Sequence, residues 1–207
     1  MKERWDFQKD ELNEGDLLQD PIALFQKWYE HAVERNVQEP NAMVLATVKD
    51  GRPSTRVVYL RDVLEEGLVF YTNYKSHKGQ SISENPQVAL NFHWSELERQ
   101  VKVRGVAVAV PHEVSDQYFA GRPRISQLGA WASEQSSEID DRTVLEARLA
   151  QFEKEFEGVD VPRPPHWGGY VVEPQMIEFW QGRPGRLHDR FKFTRMDGNW
   201  VVTRLSP

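Results

Sequence analysis

The chain has 207 residues, of which 39% are hydrophobic, enough for one sizeable core, and we expect one domain with added helices rather than two domains. Its formal net charge of −6 is not that of a protein whose whole surface binds nucleic acid or an anionic membrane. The absence of cysteine excludes disulfides, thiolate catalysis and cysteine-ligated metal. No apolar run approaches the ~20 residues that cross a bilayer, and the first residues lack the apolar core of a signal peptide, so we expect a cytoplasmic protein.

The N-terminal part is predicted to be an arm followed by one domain. Residues 1–19 are polar with scattered apolar side chains, which predicts a flexible arm with no fold of its own that can close over a site. Asp20 and Pro21 are typical of a helix start, and apolar residues continue at helical spacing to near Asn36. Residues 20–207 are expected to form a single domain.

From residue 43 the apolar pattern changes to a period of two, which is typical of β-strands. Asp50 and Gly51 predict a tight hairpin turn. Strands are predicted at 43–48, 55–63, 68–72, 88–94, 99–110, 169–173, 176–181, 187–195 and 200–205, and helices at 76–84, 112–120, 123–132 and 141–156. Short strands with few long crossovers favour a mainly β protein of the α+β class, an antiparallel barrel wrapped by helices.

The glycine-rich loops and metal motifs of several large enzyme classes are missing. The chain has no Gly-x-Gly-x-x-Gly, no Walker loop, no His-Glu-x-x-His and no Gly-x-Ser-x-Gly, so Rossmann dinucleotide binding, P-loop hydrolysis, zincin and serine hydrolase chemistry lose their usual support. No metal site is expected. The remaining candidates are clusters of arginine, lysine and hydroxyl side chains.

One cluster follows a Gly/Pro loop near the C-terminus. Arg186, His188 and Arg190 are predicted to share one face of a strand, because side chains two residues apart point the same way. Two fixed cations and an imidazole, with Trp180 nearby as a flat apolar surface, favour an anionic ligand. The alternative is a solvated strand face whose charges are balanced by Glu178 and Asp189.

Other cations lie earlier in the chain. Arg56 and Arg61 are predicted to point to opposite faces of one strand, because an odd number of residues separates them. Residues 71–79 place hydroxyls and cations at a helix start, which suits a phosphate or ordinary capping. Tyr118, Arg122 and Ser126 are spaced so that they can converge on one phosphate. The alternative, which the three residues taken alone favour, is that Tyr118 is half-buried packing and Arg122 is solvated.

These residues lie in motifs that resemble the pyridoxine 5′-phosphate oxidase family over nearly the whole chain, from about residue 20 to 207. The matching segments are Arg56-Val-Val-Tyr-Leu-Arg61, Tyr71-Thr-Asn73, Glu98-Arg-Gln100-Val, Tyr118-Phe-x-x-Arg122-Pro-Arg-x-Ser126-Gln-x-Gly-Ala-Trp131, Gln135-Ser-Ser137, Trp167-Gly-Gly169, Glu178-Phe-Trp-Gln-Gly182 and Arg186-Leu-His-Asp-Arg190. The resemblance implies an antiparallel Greek-key split barrel that binds FMN between the two subunits of a homodimer. It also implies oxidation of pyridoxine or pyridoxamine 5′-phosphate to pyridoxal 5′-phosphate, with O2 reduced to H2O2.

The resemblance further implies a role for each matched residue. The implied FMN contacts are Arg56, Val57, Val58, Tyr59, Leu60, Arg61, Tyr71, Thr72, His77, Lys78, Gln100, Gln135, Ser136, Trp180 and Arg190. The implied substrate contacts are Arg61, Tyr118, Arg122 and Ser126 around the phosphate, with Arg186 and His188 over the ring as the catalytic candidates. Which of these two, if either, takes the substrate's hydroxyl proton is left open. The chain departs from the usual pattern at Arg61, where the family has Lys, at His77, where it has Arg, and at residues 4–7 of the arm.

Two other functions compete with this one. A related flavin oxidase of phenazine biosynthesis would act on a planar substrate without a phosphate and would leave the Tyr118, Arg122 and Ser126 set unused. A non-catalytic barrel that binds single-stranded nucleic acid through aromatic and Arg side chains is a more remote alternative, and the net charge of −6 disfavours it.

Overall fold

The computed structural model describes residues 6–207. Its α-helices are α1 (Pro21–Glu34), α2 (His77–Glu84), α3 (His112–Ala120), α4 (Arg124–Ala132) and α5 (Arg142–Glu155). Its strands are β1 (Ala42–Lys49), β2 (Arg52–Tyr59), β3 (Asp62–Val63), β4 (Leu68–Asn73), β5 (Gln87–Trp94), β6 (Arg99–Ala109), β7 (Trp167–Gln181), β8 (Asp189–Met196) and β9 (Asn199–Arg204). Among these described residues, no helix is long and apolar enough to cross a membrane.

The strands form one antiparallel sheet in the order β2-β1-β5-β6-β7-β4-β3, and β8 pairs with both β7 and β9. Strand β7 organises the sheet, because β6 pairs along nearly all of it while β4 pairs with its first half and β8 with its second half. The core inside the sheet is apolar and aromatic, with Phe92, Val101 and Phe179 each 0% exposed. The predicted mainly antiparallel split barrel with surrounding helices is confirmed.

Local signals set several element ends as predicted. The Asp20 carboxylate accepts hydrogen bonds from the main-chain N–H groups of Ile22 and Ala23 and caps α1, with Pro21 at its first position. Asp50 and Gly51 have φ values of 50° and 70°, the left-handed geometry of a two-residue hairpin turn. Ser76 caps α2 through its hydroxyl.

Three strand predictions were wrong in ways that bear on the site. The predicted strand 55–63 ends at Tyr59, because the next residues leave β1 and the Arg61 N–H donates to Val69 on β4. The predicted pair 169–173 and 176–181 is the single strand β7, since Pro174 lies next to a bulge in β7 whose extra residue is Gln175, where a missing N–H is tolerated. Strand β8 begins at Asp189 rather than 187.

The close approach of β6 to β7 at Gly105 gives a test of the fold. A Cβ added at Gly105 would lie 2.1 Å from the carbonyl oxygen of Glu173, so the two main chains must move apart. We expect Gly105→Ala to lower the free energy of unfolding by about 1–3 kcal/mol. Urea unfolding measures this, with Gly129→Ala as control, because a Cβ there meets no atom within 4 Å. An unchanged midpoint in Gly105→Ala would mean that β6 and β7 do not approach this closely.

Residues 6–19 lie against the barrel. They contain little regular structure beyond the 3₁₀ turn Glu14–Asp16, yet Leu12 is buried in the main core at 2% exposure. The arm's acidic side chains pair with arginines on the barrel, Asp10 with Arg99 and Glu11 with Arg183. The division of the chain into an arm and one domain stays a prediction, and residues 4 and 5 of the arm motif lie outside the described residues.

Candidate active site

A cavity of about 640 Å³ lies between β2, β4 and the helical region. Most of the predicted FMN and phosphate contacts line it. They are Arg56, Val57, Val58, Tyr59, Arg61, Tyr71, Thr72, Lys78, Tyr118, Arg122, Ser126 and Gln135. The volume is within the range of about 300–1,000 Å³ that is typical of small-molecule sites.

Within residues 6–207, the cavity lining carries four cations, Arg56, Lys78, Arg61 and Arg122, and no carboxylate. The Arg56 guanidinium donates to neutral oxygens only, at 2.8 Å to Thr47 Oγ1 and 2.9 Å to Ser54 Oγ. Burial lowers the pKa of Arg56, and burial together with the charge of Arg56 lowers the pKa of Lys78. Half-buried cations without a counter-ion make this lining a site for anions.

Lys78 belongs to the first turn of α2, and a neighbouring loop completes that end of the cavity. The Ser136 hydroxyl accepts from the His77 N–H at 3.2 Å, and Gln135 Oε1 lies 3.5 Å from the Thr72 hydroxyl. Ser136 has φ of 75°, a left-handed conformation that bends the loop back over the helix. The positive end of the helix dipole and the Lys78 ammonium favour a phosphate at this position.

The other end of the cavity is aromatic. The rings of Tyr71 and Tyr118 stack at 3.8 Å and 6°, and the ring of Trp167 continues the stack. The Arg122 guanidinium lies 4.5 Å from the centre of the Trp167 ring, and its buried Nη1 has no hydrogen-bond partner among the described residues. Burial lowers the pKa of Arg122. An orphaned guanidinium nitrogen beside a Tyr and a Ser hydroxyl is a donor set for a second anion.

A second cluster lies away from this cavity, at the end of β7 and the start of β8. Trp180 and His188 are 4.5 Å apart between ring centres, and Phe7 of the arm packs edge-on against both. The exposed Arg186 guanidinium lies 5.4 Å from the Phe7 ring. Gly182 makes room for this ring, since a Cβ there would lie 2.5 Å from it.

Comparison with known proteins identifies the family. A model described as pyridoxamine 5′-phosphate oxidase matches residues 29–155, and a pyridoxine 5′-phosphate oxidase C-terminal dimerisation region matches residues 167–207. The chain belongs to the pyridoxamine 5′-phosphate oxidase family. A protein from Cupriavidus metallidurans named pyridoxine/pyridoxamine 5′-phosphate oxidase is 53% identical to this chain, and the match covers 95% of this chain and 93% of the relative. A protein of the same name from Rubrobacter xylanophilus is 57% identical, and the match covers 91% of this chain and 87% of the relative.

Solved structures agree with this assignment. PhzG from Burkholderia lata, determined with tetrahydrophenazine-1-carboxylic acid, superposes with a TM-score of 0.90 at 34% identity and covers 96% of this chain and 98% of its own. A pyridoxamine 5′-phosphate oxidase-related, FMN binding protein from Nostoc punctiforme, at 17% identity and a TM-score of 0.72, covers 92% of this chain and all of its own and shares the fold. Membership of the family makes this a flavoprotein of the oxidase class.

Two sequence predictions about side-chain direction were wrong. Arg56 and Arg61 line the same cavity, because strand alternation stops at Tyr59 before it reaches Arg61. Arg186 does not share a strand face with His188, since it lies in the 3₁₀ turn Pro184–Arg186 with φ of 66°. Arg190 does lie on β8, and both its Nε and Nη2 donate to Glu178. The alternative of a solvated strand face predicted that Glu178 would balance this charge.

The remaining predicted residues lie outside the cavity lining. Leu60 is buried in the core and Gln100 pairs across β6 and β7 with Trp180, while His77 and Ser136 lie in the α2 and 133–137 segments beside the cavity. Sequence reasoning assigned no site role to Trp167, and it considered Phe7 only as part of an arm that can close over a site. For Trp167 the Trp-Gly-Gly segment was a usable signal, because glycines beside an aromatic allow its ring to be approached closely. For Phe7 the neighbouring sequence does not identify the rings that it contacts, because they lie more than 170 residues away in the chain.

Proposed function

We propose that the protein is an FMN-dependent oxidase that converts pyridoxine 5′-phosphate or pyridoxamine 5′-phosphate to pyridoxal 5′-phosphate, with O2 as acceptor and H2O2 as product. The cavity with four cations and no carboxylate is the observation that carries the proposal. A flavin phosphate and a substrate phosphate are two anions, and they would supply the counter-charges that this lining lacks.

FMN fits the end of the cavity at α2. Lys78 is 9% exposed, and its Nζ has a hydroxyl, Ser76 Oγ at 3.4 Å, as its hydrogen-bond partner. We assign the FMN phosphate to Arg56, Lys78 and the α2 segment, with Thr72 and Gln135 beside it. The substrate phosphate is assigned to Arg61, Tyr118, Arg122 and Ser126, where the Arg122 Nη1 donor is otherwise unused.

FMN, when bound, supplies the acceptor for the hydride that leaves the substrate's C4′, and O2 then takes the electrons. The chain's own residues therefore bind and orient rather than attack. Their contribution is to hold two flat rings in contact and to anchor a phosphate at the end of each, which is a proximity effect. This explains why the cavity contains cations, hydroxyls and aromatic rings and no activated nucleophile.

The separation of the two clusters supports a homodimer. Trp180, Arg186, His188 and Arg190 are predicted to contact FMN or substrate, yet they do not line the cavity that holds the other predicted contacts. The C-terminal residues 167–207 match a dimerisation region. We propose that the cavity of one subunit is completed by this second cluster from its partner, so that FMN lies at the interface.

Dilution tests the interface site. Because FMN would contact both subunits, we expect it to stabilise the dimer and to be released when the dimer dissociates. Light scattering and flavin fluorescence, measured over the same dilution series, should change together, and added FMN should raise the melting temperature. A monomer that retains FMN would contradict the interface site while leaving the flavin assignment intact.

The function is tested by purifying the protein, recording the flavin absorption bands and measuring O2 uptake with pyridoxine 5′-phosphate. The superposition on PhzG is the observation that supports the phenazine alternative, so a second assay uses a dihydro- or tetrahydrophenazine carboxylic acid.

The outcomes of these assays separate the candidate functions. Faster O2 uptake with pyridoxine 5′-phosphate than with dephosphorylated pyridoxine supports our proposal. Colourless protein that cannot be reconstituted with FMN contradicts both enzymes, and binding of a single-stranded oligonucleotide by that protein would support the non-catalytic barrel. Cytoplasmic location stays a prediction.

A further inference from the structure

His188 is held by the main chain of its own loop. The Arg183 N–H donates to His188 Nδ1 at 3.1 Å, and the 3₁₀ turn Pro184–Arg186, closed by the Leu187 N–H on the Pro184 carbonyl, fixes the spacing between the two. The ring also packs against Trp180 and Phe7, which contact each other. The imidazole is therefore held in place, and its Nδ1 already accepts a hydrogen bond.

That hydrogen bond determines where the imidazole proton lies. A main-chain N–H only donates, so Nδ1 must present its lone pair, and in a neutral imidazole the single proton is then on Nε2. The opposite tautomer would set two N–H groups against each other and leave the Arg183 donor unpaired. The imidazolium has the same conflict, because it too carries a proton on Nδ1.

We infer that His188 is fixed by the Arg183 main chain as the neutral Nε2–H tautomer, and that it meets the substrate as a hydrogen-bond donor rather than as the acceptor of its proton. This rests on the proposed function, which brings the substrate ring to His188. In the neutral ring Nε2 has no free lone pair, and the lone pair on Nδ1 faces the loop. No proton passes to or from His188 in this assignment, so Arg183 is a positioning residue through its N–H group.

The surrounding charges act in the same direction. Burial, followed by the positive charges of Arg186 and Arg190, lowers the pKa of His188, while Asp189 and Asp6 oppose this shift. Phe7 and Trp180 present uncharged rings. The imidazole is therefore expected to remain neutral over the pH range in which the enzyme would be assayed.

Nitrogen NMR tests the tautomer without any activity measurement. Spectra of protein with ¹⁵N-labelled histidine are recorded with and without FMN from about pH 6 to pH 9. An unperturbed histidine changes charge near the lower end of this pH range. The His188 signals are assigned by their loss in His188→Gln. We expect an unprotonated Nδ1 and a protonated Nε2 throughout. A protonated Nδ1 at neutral pH, in either the other tautomer or the imidazolium, would overturn the inference.

Arg183→Ala is the matched control, because it removes the side chain that pairs with Glu11 and Asp189 but keeps the main-chain N–H. The tautomer should be the same as in the parent. A change of tautomer in this variant would show that the Arg183 side chain, rather than its main chain, determines the proton position.

Two substitutions test the donor role in the reaction. The amide nitrogen of Gln reaches the place of Nε2, whereas that of Asn reaches only the place of Nδ1. We expect His188→Gln to stay within about threefold of the parent in kcat/KM and His188→Asn to lose about tenfold, the equivalent of one hydrogen bond. If His188 were the base, both variants would lose about 10²–10⁴-fold, and the parent's pH profile would have a limb that both variants lack.

The result separates this inference from the proposed function. A parent that oxidises neither phosphate ester contradicts the proposed function, and the NMR experiment still decides the tautomer. A parent that oxidises them but shows a protonated Nδ1 contradicts the inference alone. Circular dichroism and thermal melts of each variant establish that the compared proteins are folded.

Discussion

Replacing Arg122 with Ala should raise the KM for pyridoxine 5′-phosphate by about 10- to 150-fold, the equivalent of one hydrogen bond to a charged group. The side chain is half-buried, its Nη1 has no partner among the described residues, and Tyr118 and Ser126 line the same cavity. Since burial lowers the pKa of this guanidinium, a bound phosphate would relieve a cost that the free protein carries. Arg122→Lys should give an intermediate KM, because it keeps the charge and loses the planar fork.

Steady-state O2 uptake measures the KM, and flavin fluorescence measures FMN affinity in the same variants. We expect FMN affinity to change far less than KM, because we assign the FMN phosphate to Arg56 and Lys78. Arg52→Ala, an exposed arginine on the same hairpin as Arg56, controls for the loss of one positive charge. An unchanged KM in Arg122→Ala would remove Arg122 from the substrate site.

The fold was predictable where short-range chemistry decides it. The Asp20 cap, the Asp50-Gly51 turn and the alternation in β6 are local features, and each appears as predicted. The errors occur where a distant partner decides. Pro174 reads as a strand break, because the sequence does not show that β7 has a bulge at Gln175 and continues its pairing with the distant strand β6 past it.

The site was predictable in its residue types more than in its geometry. The motifs identified the cations of the cavity. Strand alternation predicted that Arg56 and Arg61 point to opposite faces, whereas in the structure the strand ends at Tyr59 and both side chains line one cavity. The sequence placed Arg186 on a strand, but the residue is left-handed in the structure, with φ of 66°. This conformation is uncommon for a residue other than glycine, and the arginine side chain does not indicate it. The contact of Phe7 with Trp180 joins the two ends of the chain, and such a pairing follows only from the assembled barrel.

Lys78 provides a test in which ligand binding and stability should change in opposite directions. Its ammonium is buried, its hydrogen-bond partner is a hydroxyl, and Arg56 is close enough to lower its pKa further, after burial. In the protein without FMN, this charge costs stability because it is desolvated and has no anion beside it. With FMN bound, the same charge would pair with the phosphate.

Lys78→Met keeps the apolar stem and removes the charge. We expect the FMN dissociation constant to rise by about 10- to 100-fold, while the melting temperature of the protein without FMN rises by about 2–4 °C, the effect of about 1 kcal/mol in a chain of this size. The parent's FMN-induced rise in melting temperature should shrink in the variant. Lys75→Met, an exposed lysine one turn earlier, should leave all three quantities near those of the parent.

The pH dependence of that stability difference has a definite sign. A lysine whose folded pKa is lowered binds its proton less strongly in the folded state than in the unfolded state, where the pKa is about 10.4. The cost of Lys78 is therefore fully present at neutral pH and disappears as pH rises from the folded pKa through the unfolded one. Thermal melts of the protein without FMN should show the advantage of Lys78→Met at pH 7.5 and its reduction by about pH 10. An equal advantage at both pH values would mean that the charge of Lys78 is not its cause, and an unchanged FMN dissociation constant would place the phosphate elsewhere.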